Sequence, residues 1–264
     1  MRCSLVITTY NWKEALEVVL LSVLSQSTPP DEIIIADDGS NDETRSLIEK
    51  YISVSKIPII HSWQEDDGFR VAQSRNKAIA KSSCEYIVLI DGDIVLEHNF
   101  IHDHKKFAKE GFFSQGSRVL LGKKKSLSVL NSKKAEISFF DNDIRNRKNA
   151  VHSDPLAKIF SQTSVKLSGI KTCNMGFYKT DFIKVNGFNN RFIGWGREDS
   201  EFIVRMMNSG VKRVNIKFNA ICYHLWHEEN TRDSLPENDV LLEQSIQETL
   251  LYCSDGVKRY IKDV

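Results

Sequence analysis

The sequence predicts an α/β fold, a mostly parallel sheet flanked by helices, and three observations carry that expectation. Short β-branched runs alternate with helix-period stretches through the first third of the chain. The runs are apolar enough to be buried on both faces, as parallel strands are. Each ends in a polar cluster, where an open α/β sheet places its ligands.

In order, SLVITTY (residues 4–10) reads as a buried strand and KEALEVVLLSVLSQ as a helix; DEIIIADDGS is a second strand running into a turn. Asn41 or Asp42 is placed to cap the helix ETRSLIEKYIS. KIPIIHS is a third strand, RVAQSRNKAIAKS a helix and EYIVLIDGD a fourth strand. After a weaker stretch at 114–170, FYKTDFIKVNGF predicts a strand and a short helix, EDSEFIVRMMNSG a helix closed by Gly210, KRVNIKFNAICYH an edge strand, and the segment from Asn238 onward an amphipathic helix. No repeat or low-complexity linker divides the chain, so a single domain with a C-terminal helical extension is expected.

Composition narrows the class. The 264 residues are 41% hydrophobic and 27% charged with net charge +1, which gives no field for nucleic acid. Five scattered cysteines, none in a CxxC pair, argue against a disulfide framework or a cysteine zinc site and suggest a reducing compartment. The opening MRCSLVITTYNW lacks the pattern of a secretion signal, and ALEVVLLSVLSQ, broken by Glu17 and Ser22, is too short to cross a bilayer. A cytoplasmic location is expected. Residues 123–149 hold eight Lys or Arg against three acids: a solvated insertion, or a basic surface for a phosphate-bearing acceptor or an anionic membrane.

The chemistry-bearing residues cluster at the expected strand ends. YIVLIDGD delivers Asp91 and Asp93 on one side of the chain, a hard-cation half-site if it is more than an Asp-Gly turn. Asp37 and Asp38 form a second acidic pair, as turn and cap residues or as readers of a nucleotide. Arg70 and Arg75 sit at a helix start, which disfavours cations unless a diphosphate or acidic neighbour reverses the penalty. His224 lies at an apolar strand end, three residues before His227, where one imidazole would complete a carboxylate site; a lone histidine is more often structural. In GWGREDSEF, Glu198 and Asp199 open a helix whose dipole would keep them ionised, either as an ordinary acidic first turn or as a base. Trp195 between Gly194 and Gly196 offers an apolar face to a sugar on a loop free to move.

Together ITTYN, ADDGSND, RVAQSRN, LIDGD, CNMGFYKTDFIKVNGFNNRFIGWGREDSEF and YHLWHEEN resemble, in that order, the family 2 inverting glycosyltransferases of GT-A fold. The likeness is greatest to the branch of bacterial chondroitin polymerase, which shares its C-terminal motif with β-1,4-galactosyltransferases, and it spans nearly everything outside about 120–165. It implies that residues 1–230 form the GT-A domain, with 1–115 binding the nucleotide sugar and 165–230 completing the metal and acceptor sites, and that 231–264 form the extension. It implies that Thr8, Tyr10, Asp38, Arg70, Asn76 and Asp91 bind the nucleotide sugar. Asp91, Asp93 and His224 would hold Mn2+ or Mg2+, Asp199 would be the base with Glu198 beside it, and Gly194, Trp195 and Gly196 would form the donor and acceptor loop. Asn230 falls at a further position of the galactosyltransferase motif, and His227 has no assigned role. The implied reaction moves a hexose or N-acetylhexosamine from a UDP-sugar to a glycan or lipid-linked saccharide in bacterial surface polysaccharide or lipopolysaccharide synthesis. Peripheral contact with the inner face of the cytoplasmic membrane would fall to 123–149 and the C-terminal helix. A nucleotidyltransferase would want a Gly-rich phosphate loop where TTYNWKEA stands, and a retired binding module would have lost its acids.

Overall fold

A computed structural model describes residues 1–167, 169–228 and 231–261. Strands β1 (Cys3–Thr9), β2 (Glu32–Asp37), β3 (Ile59–Trp63) and β4 (Tyr86–Asp91) alternate with helices α1 (Lys13–Leu24), α2 (Asp42–Val54) and α3 (Val71–Ala80). They are followed by β5 (Ile94–Leu96), α4 (Phe100–Phe107), β6 (Phe112–Gln115), β7 (Ser117–Leu121), α5 (Lys123–Ser132) and β8 (Ile144–Arg145). The rest comprises α6 (Asp154–Phe160), β9 (Gln162–Ser164), β10 (Asn174–Tyr178), α7 (Lys179–Lys184), α8 (Glu198–Asn208), β11 (Lys212–Asn215), β12 (Ile221–His224) and α9 (Leu235–Gln247).

Among the described residues the main sheet runs β3-β2-β1-β4-β10-β6-β11-β9. Its first four strands are parallel, as their unbroken apolar runs predict, and apolar side chains on its two faces feed two separate cores. Register is what matters for the site: Thr8 pairs with Asp91 on one side and Ala36 on the other, so β1, β2 and β4 end together. Asn41 caps α2 by accepting from the Glu43 and Thr44 amides, and left-handed Gly210 follows α8, both as expected.

Beyond β4 the mostly parallel sheet takes in antiparallel pairs, because β10 runs antiparallel to both β4 and β6. Three expectations need correction. Residues 212–224 form two strands in different sheets: Phe218 and Ala220, with φ of 59° and 48°, turn the chain, and β12 then lies inside a small sheet ordered β5-β12-β7-β8. That sheet was not foreseen, since strands of two to five residues are too short to show a period. The basic segment is built into the fold, with Val129 and Ile144 in the core and Lys125 and Lys133 paired to Asp141 and Glu17. At the C-terminus the helix begins at Leu235 and stops at Gln247; the chain then turns at left-handed Thr249 and returns Cys253 and Val257 to buried positions.

Candidate active site

Arg75 is the hub. It lies one turn into α3, 3% exposed, and donates to Asp91 Oδ1 at 2.9 Å, Glu198 Oε1 at 3.1 Å and Thr8 Oγ1 at 3.2 Å. Burial alone would discourage its charge; Asp91, Glu198 and Asp199 outweigh that and hold the guanidinium ionised. The acidic neighbours thus answer the penalty that the sequence raised for a cation at this helix start. The result ties the end of β4 to the start of α8.

Glu198 and Asp199 are reached through Arg197, whose φ of 76° aims the first turn of α8 into the pocket. Burial first, and Asp199 second, push Glu198 up to about 7. Asp199 is also raised, by burial and by Asp91, against the pull of Arg75 and of the Ser200 amide and hydroxyl that bond its Oδ1. This corrects the expectation that the helix dipole decides their charge: clustering and loss of water win. A carboxylate titrating nearer neutrality is a better proton acceptor than one held at its ordinary value.

Asp91 and Asp93 do not act as one pair. The chain turns at Gly92, where a Cβ would lie 2.8 Å from Thr8 O, and the two carboxylates find different partners. Asp91 goes to Arg75, whereas Asp93 Oδ2 lies 3.4 Å from His224 Nε2 and 3.1 Å from His227 Nε2. Ligand atoms of Asp93, His224 and His227 all fall within 4.8 Å of one another. Asp91 lies outside that group and His227, unassigned from sequence, lies inside it. Burial would raise Asp93, but the two imidazoles and Arg118 hold it low; His227 is pushed up to about 9 by its bond to Asp93, while burial lowers His224. Asp93 Oδ1 is buried with no hydrogen-bond partner. An orphaned carboxylate oxygen beside two imidazoles is a donor set that fits Mn2+ or another divalent ion.

The expected nucleotide residues line the adjoining edge, with one exception. Asp38 is buried, accepts from Arg70 N at 2.8 Å and Gln64 Nε2 at 2.6 Å, and is pushed up to about 6 by burial. Half-exposed Tyr10 donates to Asp66, and the Arg70 side chain pairs with Asp67 at 2.6 Å. Asn76 is 0% exposed, and its amide is spent on Phe188 N, Phe188 O and Asn190 Oδ1. It holds the 188–190 turn rather than facing a ligand.

Trp195 is 41% exposed between Gly194 and Gly196, whose φ values are 74° and 106°. The glycines do more than free a loop: a Cβ on Gly194 would collide with Ser234, and one on Gly196 would come 2.8 Å from Leu235. Asn238 clasps the same loop, donating to Ile193 O at 3.1 Å and Gly196 O at 3.0 Å, and Arg197 pairs with Asp239 at 2.5 Å. Residues 234–239 therefore set the loop's course, a role with no signal in the local sequence. Asn230 lies outside the described residues.

Comparison with known proteins identifies a family and a fold. The family described as Glycosyl transferase family 2 matches residues 4–166, and one described as the N-terminal domain of galactosyltransferase matches residues 155–228. Chondroitin synthase of Pasteurella multocida (strain Pm70) is 24% identical over 231 residues, covering 78% of this chain and 23% of that protein. The chain spans about a quarter to a half of the length of the curated relatives it matches. TarS 1-349 of S. aureus, solved in complex with UDP-GlcNAc, superimposes with a TM-score of 0.64 at 16% identity over 98% of this chain and 69% of that one. The mannosyltransferase PcManGT from Pyrobaculum calidifontis, solved with GDP-Man and Mn2+, does so with a TM-score of 0.57 at 16% identity over 86% of this chain and 58% of that one. These likenesses share the mixed α/β sheet flanked by helices described above.

Proposed function

The chain belongs to glycosyl transferase family 2 and has the GT-A fold, and from that premise we propose that it transfers a hexose or N-acetylhexosamine from a UDP-sugar to a hydroxyl of a glycan or lipid-linked saccharide, with inversion, in the building of a bacterial surface polysaccharide. The observation that carries this is the Arg75 tie, which brings the donor-side Asp91 and the acceptor-side Glu198 into one pocket. UDP and UDP-GlcNAc bound to the structural neighbour TarS support a uridine nucleotide as donor.

Thr8, Tyr10, Asp38 and Arg70 frame the nucleotide at the ends of β1 and β2. A divalent cation held by Asp93, His224 and His227, with Asp91 close by, would neutralise charge on the departing diphosphate. Asp199 takes the acceptor's proton. As it does so the acceptor oxygen forms its bond to C1, and the bond from C1 to the β-phosphate oxygen breaks with its electron pair leaving on UDP. Arg75 fixes Glu198 beside Asp199, and the charge of Asp199 helps to raise Glu198. Trp195 covers the sugar and limits water at C1.

Peripheral membrane contact stays part of the proposal for a lipid-linked acceptor; no helix among the described residues is long and apolar enough to cross a membrane. The test is titration calorimetry with UDP, with and without Mn2+. Binding should need the metal and fail in Asp93→Ala; equal binding without metal would overturn the donor site.

A further inference from the structure

A second group of metal-ligating side chains lies apart from the cluster at Asp93. Glu97 follows β5, Asp103 is on α4 and His152 precedes α6, and one ligand atom from each lies within 4.8 Å of the others. Asp103 is 0% exposed, and among the described residues it has no ion pair with a lysine or arginine. A carboxylate buried that way calls for a counter-charge. Its Oδ2 accepts from the Ala220 amide at 2.8 Å and lies 3.0 Å from His152 Nε2.

Asn219 marks the group as more than an acidic cluster. It is 0% exposed, in the bend before β12, and its Nδ2 lies 2.8 Å from His152 Nε2, 3.2 Å from Asp103 Oδ1 and 3.0 Å from Asp154 Oδ1. Oδ1 of the same amide is buried with no hydrogen-bond partner. The contacts cannot all be hydrogen bonds. His152 Nε2 carries either a proton, which would face the hydrogens of Asn219 Nδ2, or a lone pair, which would face the Asp103 carboxylate. Reversing the amide forfeits no bond of Oδ1 and relieves the ring, but it sets Oδ1 against the oxygens of Asp103 and Asp154. One contact is therefore repulsive in either orientation. A cation removes the conflict, because the imidazole lone pair, the carboxylates and the amide oxygen then share one positive partner. The 3.0 Å between Asp103 Oδ2 and His152 Nε2 suits this, since two ligand bonds of about 2.1 Å at right angles set their atoms about 3 Å apart.

We infer that Glu97, Asp103, His152 and the amide oxygen of Asn219 form a second divalent-cation site. Three oxygens with one imidazole suit Mn2+ or Zn2+ better than Mg2+, which is bound through few protein ligands and keeps its waters. The Asn99 amide donates to Glu97 at 2.8 Å and orients that carboxylate, while Asp154, paired with Lys106 at 2.8 Å, stands outside the ligand set. The role is structural. The ion joins the end of β5, helix α4, the approach to α6 and the bend at 219–220. From that bend β12 runs beside β5 and ends at His224, so the ion steadies the strand that carries a ligand to the Asp93 cluster. This site stands independently of the transferase reading.

The test uses the full chain carrying Asp93→Ala and His227→Ala, which disables the first cluster. Mn2+ is titrated alone, with the free ion followed by electron paramagnetic resonance, and Zn2+ alone by calorimetry. One ion per chain should still bind in at least one of the two titrations. Its affinity should fall about ten-fold or more when Glu97→Gln or His152→Ala is added. The same ion should raise the thermal midpoint of the parent and not of these variants. Both side chains are partly exposed, so their replacement spares the fold where Asp103→Asn would cut the bend loose. Binding of neither ion by the parent overturns the inference. So does an affinity that neither added substitution alters, which would assign the ion to another place.

Discussion

Arg75 and Glu198 stand 123 positions apart in the chain and meet at 3.1 Å, both buried. This contact, with the companion bond to Asp91, makes the end of β4 and the first turn of α8 a single electrostatic unit.

Arg75→Met should therefore cost stability as well as activity. It strands Asp91, Glu198 and Asp199 without their shared counter-charge, and losing one partner of a buried pair costs about 3–5 kcal/mol. Arg75→Lys should recover part of this, since an ammonium cannot make all three bonds of the fork. Urea unfolding at pH 7 is the measurement; a midpoint equal to wild type for Arg75→Met would show that the tie contributes little.

The proposed base should be separable from the proposed donor site. Asp199→Asn should still bind UDP in Mn2+ but lose transfer by about 100-fold or more. The acid limb of the rate profile should lie above the ordinary carboxylate range, because burial and clustering raise both Asp199 and Glu198, the latter to about 7. The sign follows from protonation: below the pair's titration the base carries a proton, so the rate rises with pH through this limb. Glu198→Gln removes one negative neighbour and should move the limb to lower pH.

His227 should behave as a metal ligand together with His224. Titration of Mn2+ alone should weaken by about ten-fold or more in His227→Ala and in His224→Ala, because each removes an imidazole beside the orphaned Asp93 oxygen. Unchanged Mn2+ affinity in His227→Ala would reduce that residue to a hydrogen-bond partner of Asp93.

His104 predicts an acid-side loss of stability that has nothing to do with catalysis. It is 0% exposed between Ser114 and Asn174, and burial pushes it down to about 4. The folded protein thus binds fewer protons here than the unfolded chain, so the contribution is intact above pH 6.5 and is lost as pH falls toward 4. The full loss is on the order of 3 kcal/mol. Unfolding free energies at pH 7 and pH 4.5 should differ less in His104→Gln than in wild type; equal differences would count against it.

Asn238 connects the C-terminal segment to the loop that carries Trp195. Asn238→Ala leaves the carbonyls of Ile193 and Gly196 without their donor, at about 1–3 kcal/mol. Its activity should fall through KM, with metal-dependent UDP binding retained, if the loop faces the acceptor. An unaltered KM would separate the clasp from substrate handling.

Strands ending at Thr9, Asp37 and Asp91 were legible because buried parallel strands are written as continuous apolar runs and end abruptly at polar turns. The Asn41 cap was legible for a similar reason: its partners are two and three residues away. His227 was not. Its place depends on β12 pairing with β5, which sets the end of β12 against the turn that carries Asp93. The course of 212–224 was misread because left-handed Phe218 and Ala220 have no signature in their residue types; Asp103, more than a hundred positions away, holds that bend through Asn219 and the Ala220 amide.

The amino-acid sequence by itself determined the alternating α/β plan and the polar strand ends, and it supplied the acids at 91, 93, 198 and 199 on which the proposed transfer draws. Periodicity and turn chemistry act over a few residues, and the sequence displays them directly. Only the tertiary structure decided which of those acids crowd one another, which lies beside two imidazoles and which answer to Arg75. Charge state is set by burial and by neighbours within a few ångströms, and most of those neighbours arrive from the far side of the chain.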